Sequence, residues 1–321
     1  MKYMDVKTVD GVIKMSKIAK GADYFGVTIP EKRAWALMDR YLELGGNTID
    51  TARIYGRKNA DDTISRSEPI VGRWMAARGN RDKIILVTKG GHPDRNNMTK
   101  SRISKAIIDY ELETSLSELG VDYVDIYFLH RDNPDMPVGE IVDMMDEHVK
   151  AGKIRALGVS NWTVARINEA NAYAKAHGKT PFTISQIQWG IAHSTSELWN
   201  DPTLLCMNDT EYQGYLENHI PVMGFASQGG GFFSKVLEGG TLQEKFIARY
   251  DNPVNRHRLA AVKSMCEKTG KSAAAVGMAF MTSNPVASSA LVGCSTLEQL
   301  EDTMSECDFT LTAEECAALV K

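Results

Sequence analysis

An α/β fold of the (β/α)8 TIM-barrel class is what this sequence predicts, and three observations predict it. Short β-branched runs alternate with longer helical patterns along nearly the whole chain. Several runs are almost continuously apolar, as in Ile84-Ile85-Leu86-Val87, which suits parallel strands buried on both faces. Polar and charged residues then collect where those runs stop, at Asp50, Lys89, His130, Asn161 and Gln186. In barrels, the C-terminal ends of the strands are where chemistry is built. An open doubly wound sheet would carry a Gly-x-Gly-x-x-Gly turn after its first strand, and none is present. Gly229-Gly230-Gly231 comes late, with no Lys-Ser/Thr behind it.

Taken in order, the chain opens on a β-hairpin, with strands over 3–9 and 12–15 flanking Asp10-Gly11, a strong two-residue turn signal. Barrel strands are expected at 16–21, 47–51, 84–89, 124–130, 154–160, 183–189, 222–227 and 289–294. Helices are expected at 31–44, which stops at Gly45-Gly46, and at 104–119, where Ile107, Ile108, Leu112, Leu116 and Leu119 form one stripe ending at Gly120. Further helical patterns cover 138–149, 164–176, 254–269, 273–281 and 297–304. The segments 194–219 and 228–253 read as long connections, which over a barrel mouth usually shape substrate binding. No repeat or linker divides the chain, so residues 1–321 are read as one barrel domain.

Composition narrows the function classes. With 43% hydrophobic residues and a formal net charge of -4, the chain lacks the basic face that a nucleic acid or membrane surface demands. No apolar run approaches the roughly 20 residues of a membrane span. The N-terminal residues form no secretion signal, and the five cysteines form no CxxC pair. Both point to reduced thiols in the cytoplasm. The seven histidines show no metal-ligand spacing, so no metal is expected.

The strand ends carry the chemistry. Singly, Tyr55 reads as packing, Lys89 as a lysine snorkelling to water and His130 as a core histidine. Together, three successive strands deliver Asp50, Tyr55, Lys89 and His130 to one mouth. A phenol with an ordinary pKa of about 10 is a poor acid or base at neutral pH, and a neighbouring ammonium lowers that value. An aspartate holds the ammonium in place, and a neutral histidine orients a substrate oxygen. That set suits proton delivery to a developing alkoxide.

These residues sit in motifs that resemble the aldo-keto reductases over nearly the whole chain. They are Gly45-Gly46-Asn47-Thr48-Ile49-Asp50-Thr51-Ala52 with Tyr55 following, Val87-Thr88-Lys89, Asp125-Ile126-Tyr127-Phe128-Leu129-His130, and Gly152-Lys153-Ile154-Arg155-Ala156-Leu157-Gly158-Val159-Ser160-Asn161. The resemblance implies hydride transfer between a nicotinamide and a small carbonyl or alcohol. It makes Tyr55 the acid or base, has Asp50 and Lys89 tune it, and has His130 orient the carbonyl. It further implies that Ser160, Asn161 and Gln186 hold the carboxamide, with Phe225 as the platform under the ring. Gly21, Asp50, Ser227, Gln228 and Gly229 complete the cofactor cradle, although Phe225-Ala226-Ser227-Gln228 stands where the family often has Tyr-Ser-Pro-Leu. Ser295 and Gln299 stand at the family's adenosine-phosphate site. NADP(H) is the expected cofactor, and NAD(H) stays as the alternative because that segment lacks the Lys or Arg common in members with strong NADPH preference.

Tyr24, Phe25, His92, Arg131, Trp162 and Phe232 are candidates to line the substrate pocket by position. Arg131 suits a hydroxyl-rich, carboxylate or phosphate substrate, or else a salt bridge to Asp132 or Asp135. A polar or sugar-like carbonyl compound is the expected substrate class, and the oligomeric state is not readable. Two other readings stand beside this one: a non-catalytic nucleotide-sensing or docking subunit of the same fold, and a barrel hydrolase or isomerase using Asp50 and His130.

Overall fold

The computed structural model describes residues 1–305 and 307–321. Strands β1 (Tyr3–Thr8) and β2 (Gly11–Ser16) pair antiparallel around the Asp10-Gly11 turn. Eight parallel strands then close a barrel: β3 (Ile18–Gly21), β4 (Thr48–Asp50), β5 (Ile85–Gly90), β6 (Val124–Leu129), β7 (Ile154–Ser160), β8 (Phe182–Gln188), β9 (Val222–Phe225) and β10 (Ser288–Val292), with β10 returning to β3. The first barrel strand is shorter than the expected 16–21 because Ser16 belongs to the hairpin. Its N–H donates to Asn47 Oδ1 at 2.9 Å and its hydroxyl meets Tyr41 OH at 2.7 Å, which turns a corner before Ile18.

The inside of the barrel is a packed core. Ala19, Val87, Ile126, Phe128, Ala156, Ile184 and Met223 fill it, and Met4, Val6, Ile13 and Met15 of the hairpin close its N-terminal end. The hairpin is pinned there by Val9 N–H donating to the Arg155 carbonyl and by Thr183 Oγ1 donating to the Lys7 carbonyl, both at 2.9 Å. The floor is thus sealed by apolar contact, and only the C-terminal ends of the strands face a mouth.

Helices Glu31–Glu43, Ser67–Arg78, Lys105–Leu119, Val138–Lys150, Val164–His177, Asp209–Asn218, Ala273–Ser283 and Leu297–Ser305 form the outer ring. Two of them were illegible in the periodicity. Helix 67–78 carries Pro69 and Gly72 and buries Glu68 beside Ile70, Val71 and Trp74, so no clean apolar stripe appears. Gly72 is needed where it lies, since a Cβ there would meet the Glu118 carbonyl at 2.6 Å. Helix 209–218 lies inside the segment read as a connection. It docks through Tyr215 and through buried Glu211, whose carboxylate accepts the Val164 N–H at 2.7 Å. The segment read as a second connection holds the short helices Phe232–Glu238 and Glu244–Tyr250. Among the described residues no helix is long and apolar enough to cross a membrane.

Glu68 makes a test of this packing. It is fully buried, accepts from Thr88 Oγ1 at 2.6 Å, and has Arg53 Nη1 at 3.6 Å from its other oxygen. Burial pushes its pKa up to about 7 from an ordinary 4.5. Between those two values the unfolded chain ionises first, so the folded state loses stability as pH rises. The stabilising effect is complete below about 4.5 and gone above about 7, and amounts to roughly 3 kcal/mol. Glu68→Gln should therefore flatten the fall in Tm between pH 5 and pH 8. Parallel pH profiles for the two proteins would contradict the assignment.

Candidate active site

The end of β4 and the turn after it supply Asp50 and Tyr55, and β5 supplies Lys89. Neighbouring strands bring these groups into contact. Lys89 Nζ lies 2.6 Å from Asp50 Oδ2, 3.0 Å from the Thr51 carbonyl oxygen and 3.2 Å from Tyr55 OH. Gln186 on β8 reaches across the barrel and donates through Nε2 to Asp50 Oδ1 at 3.0 Å. Both carboxylate oxygens of Asp50 are thus engaged. The backbone reinforces the arrangement: Thr51 N–H donates to the Val87 carbonyl and Arg53 N–H to the Lys89 carbonyl. Arg53 itself is anchored by Glu118 at 2.9 Å, which fixes the turn that carries Tyr55.

Asp50 and Lys89 are fully buried. Burial pushes the lysine pKa down and the aspartate pKa up, and their 2.6 Å contact opposes both. Tyr55 departs from the simple expectation that a nearby ammonium lowers its pKa. Burial, then the charges of Asp50 and Asp23, hold it well above 10, with Arg131 pulling the other way. The phenol is therefore protonated at neutral pH. What the lysine supplies is a donor 3.2 Å from the oxygen that becomes anionic when the proton leaves.

His130 follows β6, edge-on to Tyr55 with ring centroids 5.7 Å apart. Burial, His92 and Lys89 push its pKa well below 6.5, so the ring is neutral. Its Nδ1 is buried without a partner. An orphaned N–H is rarer than an orphaned lone pair, which favours the proton on Nε2.

The remaining candidates fall on the arc β7, β8, β9, β10, β3. Asn161 takes a left-handed backbone (φ 63°), which asparagine tolerates. Its Nδ2 donates to Ser160 Oγ at 2.9 Å and its Oδ1 accepts the Leu205 N–H at 3.0 Å. The Ser160 hydroxyl proton and Gln186 Oε1 then remain unassigned, one donor and one acceptor, which is what a carboxamide requires. Phe225 closes β9 half-buried, edge-on to Trp199 at 6.0 Å. Ser227 donates to the Leu291 carbonyl at 3.2 Å, tying the loop after β9 to β10. Ala226, Gly229, Gly230 and Gly231 all have positive φ, which curls the loop, with Gln228 among them, and the N–H groups of Gly229 and Gly231 donate to the Ala226 and Gln228 carbonyls at 2.8 and 2.9 Å. Gly21 ends β3 and accepts from Lys20 Nζ at 2.6 Å. Ser295 donates through both N and Oγ to Gln299 Oε1 at 3.0 Å, so these two start as partners of each other.

The substrate candidates divide. Tyr24 is 41% exposed with Lys245 Nζ 5.7 Å from its ring, and His92 lies beside His130. Arg131 is bound to Asp201 at 3.0 Å, and not to Asp132 or Asp135; Asp132 is taken by Arg166. Phe25, Trp162 and Phe232 are completely buried in the layer between barrel and helices, Trp162 against Phe182 and Phe232 against Phe233. Their ring faces are spent on packing. Asp23, which the sequence reading passed over, lies on the loop after β3 close enough to raise the pKa of Tyr55 and to act on Asp50 and Lys89. Nothing in local sequence marks it, because only barrel closure brings that loop to the mouth.

The aldo/keto reductase family model matches residues 17–321, and the chain belongs to that family of oxidoreductases. Among its relatives is a norsolorinic acid reductase of Emericella nidulans, 29% identical over 94% of this chain and 77% of the relative. An uncharacterised oxidoreductase of Bacillus subtilis, YrpG, is 29% identical over 94% of this chain and 90% of its own length. An NADP(+) aryl-alcohol dehydrogenase of Phanerodontia chrysosporium is 26% identical over 90% and 75%. The family typically uses NADP(H) with small carbonyl or alcohol substrates.

Proposed function

We propose that this chain is an NADP(H)-dependent oxidoreductase that moves a hydride between nicotinamide and a carbonyl or alcohol, with Tyr55 as the acid or base. The observation that carries the reading is the continuous contact from Gln186 through Asp50 and Lys89 to Tyr55 OH. Bound nicotinamide would supply or accept the hydride. Ser160 and Gln186 would hold its carboxamide with the donor and acceptor they have free, and Asn161 would hold Ser160. Phe225 would cover the ring. The curled loop from Ala226 through Ser227 and Gly229 would receive the pyrophosphate. Ser295 and Gln299 would exchange their mutual bonds for the adenosine phosphate.

In the reducing direction the substrate oxygen sits between Tyr55 OH and His130 Nε2. The neutral histidine donates a hydrogen bond and fixes the carbonyl. As charge builds on that oxygen, Tyr55 gives it a proton, and Lys89 donates to the phenolate left behind. Asp50 keeps Lys89 charged and aimed, and both side chains are fully buried. In the oxidising direction the same groups run in reverse. The five cysteines are all unpaired, which supports a cytoplasmic setting. The reading is tested by whether deuterium placed at C4 of the reduced nicotinamide arrives on the carbonyl carbon of an aldehyde.

A further inference from the structure

His92 lies on the loop that follows β5, in Gly90-Gly91-His92-Pro93. Its ring stands edge-on to that of His130, with centroids 4.7 Å apart, so it forms the wall of the mouth next to the group that faces the substrate oxygen. His92 Nδ1 is 2.7 Å from the Pro93 carbonyl oxygen. A carbonyl only accepts, so Nδ1 carries the proton and donates it. Burial, and then Arg131, push the His92 pKa down to about 3, so the ring stays neutral at any working pH. Nε2 is left as a lone pair, and among the described residues no group donates to it.

The cation that acts most strongly on His92, Arg131, is held by protein partners. Arg131 spends Nε on Thr203 Oγ1 at 3.0 Å, Nη1 on the His130 carbonyl at 2.9 Å and Nη2 on Asp201 at 3.0 Å. Arg95 acts on His92 electrostatically but from an exposed position, where solvent and salt screen it. Asp23, at the same mouth, repels an anion. Beside the reacting centre the wall therefore offers a fixed acceptor, and each nitrogen of the Arg131 guanidinium already holds a partner. A hydroxyl next to the carbonyl finds a fixed acceptor there.

We propose that His92 Nε2 accepts a hydrogen bond from a hydroxyl on the carbon adjacent to the reacting carbonyl, which makes α-hydroxy aldehydes and ketones the preferred substrate class. This rests on the hydride-transfer reading. The experiment compares kcat/KM for 2-hydroxypropanal with that for propanal, in the wild type, His92→Phe and His92→Gln. Hydration of the two aldehydes in solution is the same for every protein, so it cancels when the ratios are compared. Loss of one neutral hydrogen bond should lower the hydroxy-to-deoxy ratio by about 3- to 10-fold in His92→Phe. His92→Gln, which keeps an acceptor oxygen, should recover part of it. Quenching of protein fluorescence by NADPH shows that each variant is folded. A ratio within twofold of wild type in His92→Phe, with both aldehydes reduced, overturns the inference alone. A folded wild type that reduces neither aldehyde with NADPH or NADH overturns the inference and the hydride-transfer reading together.

Discussion

Tyr55→Phe should lower kcat for aldehyde reduction by about 10²- to 10⁴-fold, the range in which a positioned general acid acts. The substitution removes one oxygen and keeps the ring. The ring edge toward His130 and the Lys89 ammonium 4.6 Å from the ring centroid stay in place, so packing changes little. Lys89 loses its contact with the hydroxyl but retains Asp50 and the Thr51 carbonyl. NADPH should therefore still quench the protein's fluorescence with near wild-type affinity while single-turnover hydride transfer collapses. The pH dependence should change as well. Burial keeps the wild-type phenol protonated through neutral pH, so reduction holds a plateau there and falls only in strong alkali. The variant should show a low, flat profile. Wild-type turnover by Tyr55→Phe would remove the tyrosine from the mechanism.

Lys89→Met should be nearly as damaging to rate, and unlike Tyr55→Phe it should also cost stability. Deleting a preorganised donor to a developing anion typically costs about 10²- to 10³-fold in kcat. The stability loss has another origin. Asp50 is fully buried, and without the ammonium its carboxylate keeps only the Gln186 amide, so it must take up a proton or remain as an unpaired buried charge. Removing one partner of such a pair costs about 3–5 kcal/mol. The double variant Asp50→Asn/Lys89→Met should regain much of that stability, because no charge is left to bury, but none of the activity. Recovery of turnover in the double variant would mean that Lys89 is only structural. An undiminished Tm in Lys89→Met would mean that the pair is less buried than described.

Much of this site could be read from the sequence, for a physical reason. Parallel strands buried on both faces appear as apolar runs, so the polar residue that ends each run stands out, and the lack of a Gly-x-Gly-x-x-Gly turn after the first strand favours a closed barrel over an open sheet. Asp50, Lys89, His130, Asn161 and Gln186 were visible in that way. The substrate wall was not, because it is built from loops whose direction no periodicity encodes. Phe25, Trp162 and Phe232 follow strand ends as His92 and Tyr24 do, yet they turn outward and fill the layer under the helices. Arg131 was read either as a cation for the substrate or as a partner of Asp132 or Asp135, because its actual partner, Asp201, lies seventy residues further on. Helix 67–78 was lost for a related reason: its buried face includes a carboxylate, and its pattern is broken by a proline and by a glycine placed for close approach to Glu118. Asp23 shows the limit most plainly, since its influence on Tyr55 exists only once β3 and β4 are neighbours.

Hydride transfer itself is the central claim, and one labelling measurement addresses it most directly. Reduced NADP carrying deuterium at C4 of the nicotinamide, on either face, is incubated with the purified protein and an aldehyde, and the alcohol is analysed by mass spectrometry. The account predicts one deuterium on the carbinol carbon from one of the two labelled faces and none from the other. An alcohol without deuterium from either face, or no alcohol from a folded protein with NADPH or NADH, would contradict it.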